Sequence, residues 1–215
     1  MRAIVARLCG AALALTGACA LLAALALAQG RTLPDADAAY WRAFGLARCA
    51  LPCFAGITPG ETPFSDVVGL IGESVPALSQ QLLVSNSQVV FFAEDSALQT
   101  SLSGVVRYHH GSVGEIRLSL YLPLSSIVLR YGTPDCTLLY PAAAPTEMYL
   151  YWQAGDLLYW ASVGITDRVR LSSPVYTLAS TELEAPDVCH TRPETRAWRG
   201  FAPVPRMLTD DRAGG

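Results

Sequence analysis

Cys49, Cys53, Cys136 and Cys189 are the residues best suited to chemistry in this 215-residue chain, and their spacing decides which chemistry. The first two have three residues between them in "CALPCFAGITPGETPF" (49–64), a C-x-x-x-C pattern. Thioredoxin-like redox sites use the closer C-x-x-C pair, and zinc sites are commonly seeded by it, so a redox or four-thiolate metal reading lacks its nucleus. Cys9 and Cys19 lie in the apolar N-terminal segment, and the four cysteines that remain form an even set that disulfides use up in pairs in an oxidising compartment. The expectation is two structural disulfides, Cys49 with Cys53 and Cys136 with Cys189. A turn at Leu51-Pro52 brings the first pair within the roughly 4.4–6.8 Å Cα separation that a disulfide needs. The second pair ties the C-terminal tail back to a strand.

Histidine offers the next chemistry. His109 and His110 are adjacent, so on a strand they point to opposite faces and cannot share a metal without a bulge. His109 as a general base, oriented by Glu115 or Asp95, defines a hydrolase reading that competes with a non-enzymatic one. No G-x-S-x-G, H-E-x-x-H, phosphate-loop, EF-hand or dinucleotide motif is present. Gly111-Ser112-Val113-Gly114 lies between two strand patterns and reads as a hairpin turn rather than a nucleotide loop. Glu94-Asp95 and Asp210-Asp211 read as solvated turns or tail. All 15 basic residues are arginine, which removes Schiff-base lysine, phosphate-loop lysine and Ser-Lys chemistry. No cofactor or metal is expected. The net charge of −3 leaves no basic footprint for nucleic acid.

A third set is aromatic. Tyr140, Tyr149, Tyr151, Trp152, Tyr159 and Trp160 fall in "MYLYW" and "LLYW", where alternate rings face opposite sides of a sheet. Tyr149, Tyr151, Tyr159 and Trp160 are the candidate interaction surface, because Tyr and Trp are the types favoured at interfaces.

The elements that position these groups begin with export. Arg2 and Arg7 precede an uncharged run of 21 residues from Leu8 to Ala28, and Ala26-Leu27-Ala28 forms an A-x-A cleavage pattern. The run also has the length of a membrane span, so residues 1–30 are a signal peptide or an N-terminal membrane anchor. Residues 31–61 form a lead-in with an amphipathic segment carrying Tyr40, Trp41 and Phe44. Thr62 reads as an N-cap with Pro63 at the first helical position, and Gly72 as the stop. Residues 76–84 suggest a second, shorter helix.

Strands are expected over 88–93, 103–109 and 113–122, with the turn of a hairpin at His110-Gly111-Ser112. Ile116, Leu118, Leu120 and Leu122 alternate with Glu115, Arg117, Ser119 and Tyr121, the mark of a half-buried antiparallel strand. Further strands fall at 136–140, 147–152 and 157–163, and Pro174 assigns 169–178 to an edge. From Ser180 onward the composition turns polar and suggests a loosely packed tail tied down by Cys189.

"PFSDVVGLIG" (63–72) and "PLSSIVLRYG" (123–132) align without a gap at a shift of 60 residues. With their flanks they resemble the helix signature G-x-T-x-x-x-V-x-x-L-x-G-x-P of small outer-membrane-assembly lipoproteins and of the β-lactamase-inhibitory-protein fold. "CALPCFAGITPGET" is similar to a C-x-x-P-C-[WF]-x-G-I-x-P-G-x-T stretch of exported bacterial proteins. The resemblance implies an α+β fold, with helices packed on one face of antiparallel β-sheet in two tandem helix-plus-sheet units, 62–122 and 123–179, and a tail over 180–215. It implies envelope-associated binding and no catalytic residue. The functional expectation is an extracytoplasmic, membrane-tethered or secreted non-enzymatic interaction module of the bacterial cell envelope. Its partner is a protein or another envelope component, and its link to the membrane is the N-terminal segment.

Overall fold

The computed structural model describes residue 17 and residues 36–46, 53–75, 81–95, 100–140, 146–166, 168–182, 188–191, 194–198 and 200–201. The chain divides into two compact units, 1–36 and 37–215. Cys49 and the apolar run 8–28, Gly17 excepted, lie outside the described residues. Among the described residues no helix is long and apolar enough to cross a membrane.

Among the described residues, nine strands form one antiparallel sheet: β1 (Leu82–Val84), β2 (Gln88–Asp95), β3 (Thr100–His109), β4 (Ser112–Pro123), β5 (Cys136–Tyr140), β6 (Thr146–Ala154), β7 (Leu157–Ile165), β8 (Pro174–Glu182) and β9 (Arg196–Ala197). Their order is β1-β2-β3-β4-β8-β7-β6-β5-β9. The described helices are short: α1 (Ala36–Ala43), α2 (Val67–Ser74) after a 3₁₀ turn at Phe64–Asp66, α3 (Leu124–Tyr131) and the one-turn α4 (Val188–Thr191).

This corrects the expected fold class. The two signature segments are helical, yet the strands after them do not form two tandem helix-plus-sheet units. β4 and β8 pair from Glu115–Thr181 to Pro123–Pro174, so a single ladder runs through the expected boundary between 122 and 123. Pro174 permits this because it is the first residue of β8, the position at which a strand tolerates a missing N–H. β8 is thereby an interior strand between β4 and β7, not an edge.

One face of the sheet carries the main core. Val89, Phe91, Leu102, Val106, Ile116, Leu118, Met148, Leu150, Ala161 and Val163 point to it, and Tyr40, Trp41 and Phe44 of the α1 region, Val67 and Ile71 of α2, and Leu124 and Ile127 of α3 close over it. The α1 aromatics are buried as their spacing predicts, and Tyr40 also donates to the Ser101 carbonyl at 3.3 Å. Three local readings change. The Thr62 hydroxyl does not cap the helix but accepts from the Thr58 N–H at 2.9 Å, bracing the Thr58–Gly60 turn. Gly72 lies inside α2, which continues to Ser74. Residues 82–84, expected at the end of a helix, are β1.

The hairpin turn is as read: His110 and Gly111 both take positive φ, 46° and 96°, matching a two-residue turn whose twist suits the flanking strands. The polar tail is built into the sheet. Residues 180–182 extend β8, and Arg196–Ala197 add β9 to the β5 edge. Between them the Cys136–Cys189 disulfide, Cα atoms 5.6 Å apart, holds α4 against β5. Cys53 is also disulfide-bonded, with a partner outside the described residues.

Candidate functional site

The second face of the sheet is assembled by register. Directly paired residues share a face, and one row reads Val90, Val105, Arg117, Ala179, Trp160, Tyr151 and Cys136. The neighbouring row reads Phe92, Ser103, Ser119, Thr177, Ser162, Tyr149 and Leu138. At the β5 end this face is covered: Cys136, Leu138, Tyr151, Leu158 and Val188 form a small buried cluster beneath the disulfide. From β7 to β2 it is open, with Tyr121 68% and Phe92 39% exposed.

Across the boundary between covered and open surface, the Arg117 guanidinium lies over the Trp160 ring, 5.3 Å from its centroid. Ala179 separates them in the row, and its single methyl lets the arginine reach across the intervening strand. Glu115 fixes the guanidinium from the other side, with Oε1 accepting from Arg117 Nε at 3.1 Å and Nη2 at 2.6 Å. Its Oε2 accepts from Arg107 Nη1 at 2.8 Å. Tyr149 packs on Trp160 with centroids 5.5 Å apart, and Tyr121 on Tyr176 at 6.0 Å. The result is a row of rings and forked cations held by neighbours on the solvent side.

The four aromatic candidates do not act together. Tyr149 and Trp160 are half-buried on this face; Tyr151 shares the face but is buried under the α4 cluster. Tyr159 points to the opposite, core face and is 6% exposed. Tyr151 and Tyr159 are therefore removed from the candidate surface, and the reason is period-two alternation combined with the covering helix. Sequence reading missed Arg117, Tyr121, Tyr176 and Phe92. The alternation of 115–121 already placed Arg117 and Tyr121 on one face; the register to β8 and β7 was the missing information.

His109 stands at the end of β3, its ring edge-to-face with His110 at 4.1 Å. It lines a cleft of about 310 Å³ with Glu115 and Glu182. The two groups expected to orient it are placed differently: Glu115 lines the same cleft, whereas Asp95 does not. Glu115 is engaged by two arginines, and Asp95 pairs with Thr100, nine residues and so about 30 Å along the strand from His109. Among the described residues no cluster of three or more His, Cys, Asp or Glu is placed to hold a metal ion.

Comparison with protein families, curated proteins and solved structures finds no match for this chain.

Proposed function

We propose that this chain is a non-enzymatic interaction module of the bacterial cell envelope, exported and either tethered by its N-terminal segment or released, whose open sheet face docks a protein partner. The observation that carries this reading is the Arg117–Trp160 stack in a solvent-facing row. Tyr, Trp and Arg are the types that supply most of the energy in protein interfaces, above all where neighbours hold them in place before binding. Glu115 and Tyr149 do that here. The signal-like N-terminus and the disulfide support an extracytoplasmic location. The resemblance of the two helix signatures to envelope binding proteins points the same way.

The test is site-specific photocrosslinking in intact cells. A crosslinker at position 121, on the open face, is expected to trap one discrete protein species. A crosslinker at position 129, where Leu129 is 87% exposed on α3, is expected to trap none of it. Arg117→Ala should abolish the product at 121. Equal labelling from both positions, or recovery of the chain from the cytoplasm with its N-terminal segment intact, rejects the reading.

A further inference from the structure

The open face of the sheet is polarised along its strands. Its arginines lie at one end, where Arg107 and Arg117 share the single carboxylate of Glu115 and leave a net positive charge. Its acids lie at the other end. Arg107 pairs with Gln88, and Glu94 stands six residues, about 20 Å, further along β2 on the same face. Glu94 is exposed. Glu147 holds the same level on β6, where its carboxylate accepts from the Tyr149 hydroxyl at 3.1 Å.

Between these ends two adjacent rows differ in size. Val105, Arg117 and Trp160 carry the larger side chains of one row. On the same three strands, the next row carries Ser103, Ser119 and Ser162. A ridge thus runs beside a line of hydroxyls, with Phe92 and Tyr121 exposed around it.

A ridge beside a trough, with a cationic end opposite an acidic end, is complementary to itself turned end for end. A twofold axis in the plane of the sheet, crossing the strands between these two rows, performs that turn. It sets Val105, Arg117 and Trp160 of one copy over Ser103, Ser119 and Ser162 of the other. Val90 of one copy then meets Phe92 of the other. Arg107 falls at the level of the second copy's Glu94, one strand to the side and within reach of a long side chain. Because the axis is twofold, that ion pair is made twice. A twofold along the strands would instead lay the arginine end on the arginine end.

The five strands from β2 to β7, each covered over about seven residues, give a footprint of about 570 Å² per copy. Two copies together bury about 1,100 Å², which clears the roughly 1,000 Å² of a specific contact and falls short of the roughly 1,200 Å² of standard ones. The geometry therefore requires a weak, concentration-dependent pair. Sheets packed this way lie about 10 Å apart and cross at about 30°, which long side chains span.

We propose that the partner of the open face is a second copy of this chain, the two sheets packing face to face with their strands reversed. The proposal rests on the docking reading above and names its partner.

The experiment uses the full exported chain purified from the envelope, in detergent where the N-terminal segment is retained. Sedimentation equilibrium across micromolar concentrations is expected to show a monomer–dimer equilibrium. Glu94→Arg, which leaves the Arg107–Glu115 pair intact, should weaken the dimer about tenfold, since it sets two like-charge contacts in place of two ion pairs. Arg107→Glu should weaken it as much, and the double reversal should restore it. Leu129→Arg, on the exposed side of α3, should leave it unchanged. In a mixture of light and heavy-isotope chains, a photocrosslinker at position 121 should give a product holding one of each. A monomer at every concentration overturns the proposal. So does a dimer indifferent to the single reversals, which would assign pairing to the N-terminal segment, or a double reversal that fails to restore it. A product at 121 in intact cells that holds a different protein and no second copy overturns self-pairing while keeping the docking reading. No product at 121 in cells or in the purified mixture overturns both.

Discussion

Arg117 and Trp160 meet across an intervening strand, guanidinium to ring centroid 5.3 Å, over the methyl of Ala179. The contact needs three residues from three strands, β4 lying far from β7 and β8 in the sequence, and Glu115 as a fourth to aim the cation. A double-mutant cycle with Arg117→Ala and Trp160→Phe or Ala is expected to give a coupling of about 0.5–1 kcal/mol in urea denaturation, the usual range for partly exposed pairs of this kind. Glu115→Gln should shrink that coupling. A coupling within error of zero would make the stack incidental.

The Cys136–Cys189 disulfide spans a sequence separation of 53 residues and pins α4 over Tyr151, Leu138 and Leu158. By the loop-entropy relation, losing it costs on the order of 4 kcal/mol before any strain is counted. Cys136→Ala is therefore expected to lower the urea midpoint strongly. Hydrogen exchange should also speed up in β9 and α4 before the rest of the sheet, because they are tied to β5 by that bond, a two-residue ladder and the small cluster around Val188. Uniform loss of protection across β2, β3 and β4 would show that the disulfide holds the whole domain instead.

What the sequence disclosed, and what it withheld, follows from the range of each interaction. The hairpin at His110-Gly111 is legible because positive φ at two successive residues is a local demand. The burial of Tyr40, Trp41 and Phe44 is legible because helical spacing alone places them on one side. Alternation likewise separates Tyr159 from Trp160, and the candidate surface that joined them ignored it. The central place of β8 was not legible. Pro174 forbids a donor at one position, but only the pairing of Pro123 with Pro174 and of Val163 with Val175 reveals that the position is a strand's first residue. The Arg117–Trp160 stack was hidden for the same reason, since it depends on the register of two ladders at once.

Burial raises the pKa of three phenols above the ordinary value near 10: Tyr40, Tyr131 and Tyr159. Loss of hydration is the leading cause in each, opposed at Tyr131 by the adjacent Arg130. The fold thus favours their neutral forms, whereas in the unfolded chain they ionise near pH 10. Their contribution to stability is complete below about pH 10 and is lost as pH rises above it. Urea midpoints should be flat with respect to these groups up to pH about 9 and fall beyond pH about 10. Tyrosinate absorbance should show Tyr40, Tyr131 and Tyr159 resisting titration until the chain unfolds. Nine tyrosines titrating together in the folded protein would contradict the burial.

Gly104 and Gly69 give opposite predictions for the same substitution. A Cβ on Gly104, in β3, would sit 2.5 Å from Phe91 Cζ and 2.7 Å from the Arg117 carbonyl oxygen. Phe91 cannot swing away freely, being 1% exposed and stacked on Phe54 with centroids 5.1 Å apart and planes at 9°. The carbonyl belongs to the β4 backbone and cannot move without disturbing the strand that carries Arg117. Gly104→Ala should therefore destabilise by about 1–3 kcal/mol, the usual cost of overpacking a filled core. Gly69 lies in α2 with nothing within 4 Å of its would-be Cβ. There Ala restricts the unfolded chain and suits the helix, so Gly69→Ala should stabilise by about 0.5–1 kcal/mol. Adding Phe91→Leu to Gly104→Ala should recover part of the loss relative to the sum of the single changes, because it relieves the ring contact and leaves the carbonyl one. Urea denaturation of the four variants (Gly104→Ala, Gly69→Ala, Phe91→Leu and the Gly104→Ala/Phe91→Leu double) decides the matter, and a Gly104→Ala protein as stable as Gly69→Ala would mean that β3 does not pack against Phe91 as closely as this.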